Sequence, residues 1–218
     1  TSHVGRITVS LGYRPPYRWT EMLRFLAARA ILGVERVEGD VYLRTVRLAD
    51  KDGTRHSGWI QVAHKPAKNR LDVTVSDTLI PVLSQVLARV RNLFDLYCDP
   101  DVIDQTLQTM NDLRPGLCVL GTRLPGCFEP FEMSVRAILG QQISVKAAST
   151  LAGRLVESLG MPVDTGVEGL THTFPTAEEI AAMGDDIQER LGVLGIISAR
   201  SACILALAQA LIKGEVIL

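Results

Sequence analysis

Apolar residues follow one period in the first part of this chain and another in the rest. Near the start, Ile7, Val9 and Leu11 alternate with polar residues, which predicts a short half-buried strand. Arg14-Pro15-Pro16-Tyr17 stops it, because neither proline can donate to a strand ladder. Thr20 is the expected N-cap of a helix running to about Leu32, with Gly33 ending it. β-rich runs at 41–48 and 56–63 flank Lys51-Asp52-Gly53-Thr54, where Asp-Gly predicts a tight hairpin. Residues 71–75 (Leu-Asp-Val-Thr-Val) alternate cleanly and predict the next strand. Asp77 is the expected cap of a helix from about Leu79 to Phe94.

From residue 101 onward the apolar spacing is helical throughout. Asp101 is placed as the cap of a helix to about Met110, and a loop runs from Arg114-Pro115-Gly116 to Leu124-Pro125-Gly126. Phe131, Val135 and Ile138 then recur at helical spacing, as do Val145, Ala148, Ala152, Leu155 and Leu159. Residues 160–175 read as a polar, glycine-containing, mobile loop. Thr176-Ala177-Glu178-Glu179 is a capping box, and Ser198 to Lys213 is an apolar helix closed by Gly214. The pattern predicts an α+β fold: an antiparallel sheet with two helices over 1–98, then an all-α unit over 99–218.

Composition narrows the function classes. At 218 residues and 47% hydrophobic the chain can bury a large core, and 22% charged residues are too few for a disordered tail. It has no run of 18 apolar residues and no basic-then-apolar leader, so no membrane partner is expected and the cytoplasm is the expected compartment. Cys98, Cys118, Cys127 and Cys203 are scattered and read as reduced, mostly buried thiols. His3, His56, His64 and His172 are equally dispersed, so no metal site is expected. The net charge of −1 hides an asymmetry: residues 1–100 carry 15 basic against 10 acidic side chains, and the remainder 8 against 14. Any nucleic-acid contact would therefore use few phosphates, partly through helix-end amides.

Three constellations carry candidate chemistry. Gly140-Gln141-Gln142-Ile143-Ser144 interrupts two apolar helices with a pair of long amides. Buried without partners, each would cost about 1–3 kcal/mol. They either cap the exposed backbone of the helix junction or sit at a loop tip, where amides suit base edges by both donating and accepting. Gly140 permits close backbone approach, and Ser144 can cap the second helix. Phe25 and Arg29 stand one turn apart on a helix face; they are either a snorkelling arginine beside a core ring or the wall of a pocket for a flat ligand. Leu191-Gly192-Val193-Leu194-Gly195-Ile196-Ile197-Ser198-Ala199-Arg200 reads as a helix–turn–helix, either an ordinary corner or a phosphate-holding hairpin. The sequence contains no P-loop, dinucleotide fingerprint, nucleophile elbow or His-Glu-x-x-His, and no local carboxylate motif that makes a general base.

Together these residues resemble a known family. Arg14-Pro15-Pro16-Tyr17-Arg18-Trp19 and residues 22–30 (Met-Leu-Arg-Phe-Leu-Ala-Ala-Arg-Ala) are similar to the N-terminal domain of the AlkA-type 3-methyladenine DNA glycosylase II family. Leu93-Phe94-Asp95-Leu96, Arg114-Pro115-Gly116-Leu117 and Leu124-Pro125-Gly126-Cys127 fit in order, and the segment from Phe131 to Ser144 is the most specific match. The resemblance implies a first domain shaped like one half of the TATA-binding protein, followed by an incomplete helix-hairpin-helix glycosylase domain. It implies hydrolysis of the N-glycosidic bond of alkylated bases in double-stranded DNA, without metal or cofactor, by a monomeric full-length enzyme.

Carried over by position, Phe25, Arg29 and Gln141 line the base pocket. Gln142, with Gly140, Ile143 and Ser144, faces DNA and fills the gap left by the flipped nucleotide, where some relatives use an apolar wedge. The family's catalytic aspartate and main hairpin follow the position of Leu218, so no catalytic residue is assigned and the chain itself is expected to be inactive. A parent fused to an alkylation-response regulatory module is also consistent with the resemblance. The rival readings are a non-catalytic DNA-binding or damage-sensing module of glycosylase shape, and a protein-interaction scaffold.

Overall fold

A computed structural model describes residues 5–218, so His3 lies outside the described residues. The alternating segments form one antiparallel sheet from β1 (Arg6–Gly12), β2 (Glu35–Glu38), β3 (Val41–Ala49), β4 (Arg55–Lys65) and β5 (Arg70–Ser76), in the order β1-β5-β4-β3-β2. Register follows the apolar period: Val9 faces Val73 and Leu11 faces Leu71 across the β1–β5 pair. The Asp-Gly hairpin forms as expected. Gly53 takes φ +83°, and Asp50 Oδ1 accepts the N–H groups of Asp52 and Thr54, each at 2.9 Å. β2 was not expected, because a Glu-Arg-Val-Glu strand shows no apolar alternation.

Helices α1 (Trp19–Ala27) and α2 (Leu83–Leu93) share the first core with the sheet, through Trp19, Met22, Leu26, Val86 and Val90. Both depart from the expected bounds. Arg18, not Thr20, is the N-cap of α1, and the helix stops at Ala27 rather than near Leu32. The chain leaves the helix early to bury Ile31 and Val34 in the second core, where both are 0% exposed. A 3-10 turn (Asp77–Val82) containing Pro81 precedes α2, so Asp77 does not cap it; its carboxylate instead accepts the Gly5 N–H at 3.0 Å.

Helices α3 (Pro100–Leu107) and α4 (Met110–Leu113) follow. Asp99, not Asp101, caps α3 by accepting the Asp101 N–H at 3.2 Å. Neither helix buries any residue beyond Pro100. The loop that follows is anchored by Arg123, whose guanidinium donates to the carbonyls of Arg14, Pro16 and Cys98.

The second core lies among α5 (Pro130–Gly140), α6 (Val145–Leu159), α7 (Ala177–Ala181), α8 (Ile187–Gly192) and α9 (Ser198–Ile212), through Phe131, Leu139, Leu155, Ile180, Leu191 and Ile204. The Thr176–Glu179 capping box is present at the start of α7. This unit is not all-α. Within 160–175, β6 (Met161–Pro162) pairs with β7 (His172–Thr173). Nor is that loop loose: Thr45 Oγ1 donates to the His172 carbonyl at 2.8 Å, Thr171 N donates to the Gly33 carbonyl at 2.9 Å, and Leu170 packs with Leu43 and Trp59. The expectation of mostly buried thiols is corrected as well. Only Cys98 is buried, Cys118 and Cys127 are half-buried and Cys203 is exposed, all four free. Among the described residues no helix is long and apolar enough to cross a membrane.

Candidate functional site

A cavity of about 380 Å³ opens where the two cores meet. The end of α1, the strands β2 and β3, the loop at 125–129, one side of α5 along its length and the start of α6 all contribute to its walls. Gly126 lets that loop sit against α2, since a Cβ there would lie 2.4 Å from the Asn92 carbonyl oxygen. Two phenylalanines line the cavity, and each carries a guanidinium on its ring. Arg29 Cζ lies 3.7 Å from the Phe25 centroid, and Arg44 Cζ lies 4.3 Å from that of Phe128. Phe25 is 39% exposed although Arg29 covers one face of its ring, whereas Phe128 is buried. Arg29 does not extend α1, as the helical spacing had suggested. It sits in the turn beyond, and Nη1 donates back to the Phe25 carbonyl at 3.3 Å.

The turn between α5 and α6 forms another part of the cavity rim. Gly140 and Ile143 line the cavity; Gln141, Gln142 and Ser144 do not. Ser144 caps α6, its Oγ accepting the Ala147 N–H at 3.2 Å. Both glutamines are exposed, and neither side-chain amide bonds to another described residue, which removes the reading of the pair as helix caps. Gln141 is instead held by its backbone, with Arg200 of α9 donating to its carbonyl at 2.5 Å. Gln142 takes φ +61°, a left-handed conformation that turns the chain sharply enough for α6 to start at Val145. At the α8–α9 turn Gly195 has φ +88°, and no side chain caps the first amides of α9.

Charged groups in the cavity floor escaped sequence reasoning. Glu35, Arg44, Glu132 and Arg136 all line it, with Glu35, Arg44 and Glu132 buried and Arg136 largely so. The one available signal was Glu132 and Arg136, an i,i+4 pair of opposite charge on an otherwise apolar helix. Burial opposes ionisation of Glu35, but the guanidiniums of Arg136 and Arg44 outweigh it and hold the carboxyl below the usual range. Burial, reinforced by the Glu35 charge, pushes the Tyr42 hydroxyl well up. Glu129 behaves oppositely. Burial raises its carboxyl, with Glu132 adding to the effect; Oε2 accepts the Glu132 N–H at 2.7 Å while Arg89 stays 3.8 Å away. The site can hold a flat, partly apolar group. Its two most buried carboxylates are already engaged by arginine, and among the described residues no three His, Cys, Asp or Glu side chains converge on a metal position.

Comparison with known proteins agrees with this architecture. The family described as the AlkA N-terminal domain matches residues 8–129. DNA-3-methyladenine glycosylase 2 of Escherichia coli is 36% identical over 205 residues, which cover 94% of this chain and 67% of that protein. The probable bifunctional transcriptional activator/DNA repair enzyme AlkA of Mycobacterium tuberculosis is 35% identical over 219 residues, and this chain spans 42% of its length. Among solved structures, the 3-methyladenine DNA-glycosylase from Archaeoglobus fulgidus superposes with a TM-score of 0.66 at 22% identity, over 92% of this chain and 66% of that one. The 8-oxoguanine glycosylase/lyase of Clostridium acetobutylicum superposes with a TM-score of 0.50 at 15% identity, over 86% and 69%. The chain belongs to the AlkA family of DNA glycosylases.

Proposed function

We propose that this chain serves base-excision repair as the base-receiving part of a DNA glycosylase, which hydrolyses the N-glycosidic bond of alkylated bases of the 3-methyladenine type in double-stranded DNA. One observation carries the reading: Phe25 and Arg29 stand on the same cavity as Gly140 and Ile143, with the exposed Gln142 at the tip of that turn. A base leaving the stack costs a few kcal/mol, less where damage has weakened its pairing. The cavity offers it an aromatic face, and the Gln142 amide can fill the vacated gap and bond the orphaned base. Gln141 would act beside the base through the edge of the same turn, and Ser144 would aim the α6 amides toward DNA. In this reading residues 1–98 and 99–218 are the two working units, the full-length enzyme is a cytoplasmic monomer, and no metal takes part.

The reaction needs negative charge beside an oxocarbenium-like sugar. Glu35 and Glu132 cannot supply it while Arg44 and Arg136 neutralise them, and burial holds Glu129, the third carboxyl on the cavity, toward its neutral form. The 218-residue chain is therefore expected to bind DNA and release no base. Fluorescence anisotropy with a duplex bearing a tetrahydrofuran abasic analogue tests the binding. The chain should prefer that duplex to an undamaged one, and Gln142→Ala should weaken the preference by about tenfold, near 1.4 kcal/mol. Equal affinity for the two duplexes would overturn the reading, and 3-methyladenine release by the chain would overturn the expected inactivity.

A further inference from the structure

The floor of the cavity is a closed cluster of four charges, three buried and the fourth, Arg136, largely so. Glu35 opens β2, Arg44 lies on β3, and Glu132 and Arg136 lie one turn apart on α5. Arg136 Nη1 donates to Glu35 Oε2 at 2.8 Å and to Glu132 Oε1 at 3.1 Å. Arg44 Nη2 donates to Glu132 Oε2 at 2.7 Å, and its Nη1 lies 3.8 Å from Glu35 Oε1. Glu35 also accepts from Tyr42 Oη at 2.6 Å and from the Ile31 N–H at 3.2 Å. The charges cancel, and every carboxylate oxygen accepts at least one hydrogen bond. A buried ionic cluster of this kind is weak evidence for stability, because apolar residues of similar volume often replace one without loss.

Its value lies in what it holds. Arg136 Nη2 donates to the carbonyl of Arg29, the residue whose guanidinium covers Phe25. Arg44 lies over the ring of Phe128. α5, which carries Glu132 and Arg136, runs directly into Gly140 and the glutamine turn. One cluster therefore grips the Phe25–Arg29 wall, the Phe128 wall and the helix that presents the opposite rim. An apolar floor could fill the same volume but could not fix these three by directed bonds, since the hydrophobic effect has no direction.

We propose that the Glu35–Arg44–Glu132–Arg136 cluster is a positioning clamp, in which Arg136 sets the width of the base cavity by tying the Arg29 carbonyl to α5. The ligand in this proposal rests on the base-binding reading above; the clamp itself is a property of the free chain. Arg136→Met alone would leave two buried carboxylates sharing one arginine, so the informative variant is Glu132→Leu with Arg136→Met, which leaves Glu35 paired with Arg44 and Tyr42. Cys127 lines the cavity and is half-buried, whereas Cys203 is exposed on α9 and serves as an internal reference.

In the double variant the thermal midpoint should stay within a few degrees of the parent. The rate of Cys127 alkylation by iodoacetamide, relative to Cys203, should rise about tenfold, and the preference for the abasic duplex should fall by a similar factor. An unchanged Cys127-to-Cys203 ratio would overturn the clamp. A collapse of the thermal midpoint would overturn it too, since the cluster would then be structural support. If the parent chain does not discriminate between the duplexes, the base-binding reading fails and the thiol ratio still decides the clamp.

Discussion

Glu35 and Glu129 line one cavity, yet their carboxyls are shifted in opposite directions, because arginines surround Glu35 while burial and a neighbouring carboxylate act on Glu129. An unfolded glutamate titrates near pH 4.3. The folded Glu35 lies lower, so its contribution to stability is complete above about pH 4.3 and is lost as the pH falls through its folded value. The folded Glu129 lies higher, so the native state binds the extra proton and stability declines as the pH rises from about 4.3 through its folded value. Urea unfolding between about pH 3 and 7 should show Glu129→Gln removing that decline, and Glu35→Gln removing the acid-side loss at lower overall stability. A Glu129→Gln difference that does not vary with pH would contradict the assignment. The sequence displayed both glutamates but not their surroundings, which come from elements far apart along the chain.

The α5–turn–α6 unit shows how one element can be legible while its purpose is not. Helical spacing on both sides and Ser144 before Val145 located the turn within a residue. The structure holds the two adjacent glutamines differently: Gln141 is pinned by Arg200 through its carbonyl, and Gln142 is left-handed and free at its amide. A left-handed residue other than glycine costs about 1 kcal/mol. Gln142→Gly should thus leave stability unchanged or raise it by up to about 1 kcal/mol, while losing the duplex preference with the amide. Gln142→Val, β-branched in the same conformation, should destabilise by about 1 kcal/mol or more. Denaturant midpoints set beside anisotropy would separate the two effects. Stability and binding moving together in Gln142→Gly would mean that the turn geometry, rather than the amide, engages DNA.

The molecule as a whole has two cores that interlock through the chain between α1 and β2. Ile31 and Val34 leave the first unit to be buried in the second, and the 160–175 loop returns to bond Gly33 and Thr45 in the first. Such mutual dependence predicts one cooperative transition. Ile31→Ala should cost about 2–5 kcal/mol. It should lower the unfolding of the first unit, read by fluorescence of Trp19 and Trp59, and the loss of helix over the whole chain, read by far-ultraviolet circular dichroism, to the same degree. Two separated transitions in the variant would show that the units are independent.

Local chemistry written along the chain determined the strands of the Asp-Gly hairpin, the helices on either side of the glutamines, the capping box at Thr176 and the family. Each depends on residues within a few positions of one another, or on motifs in order. What required tertiary structure was of another kind: the early end of α1, the strand at Glu35–Glu38, the pinned 160–175 loop and the ionic floor of the cavity. In those places a residue's best local conformation or solvation yields to a partner distant in sequence. Glu35 shows the reason most plainly. Charged and in a strand with no apolar alternation, it reads as surface, and only the arrival of Arg136 from α5 and Arg44 from β3 makes its burial favourable.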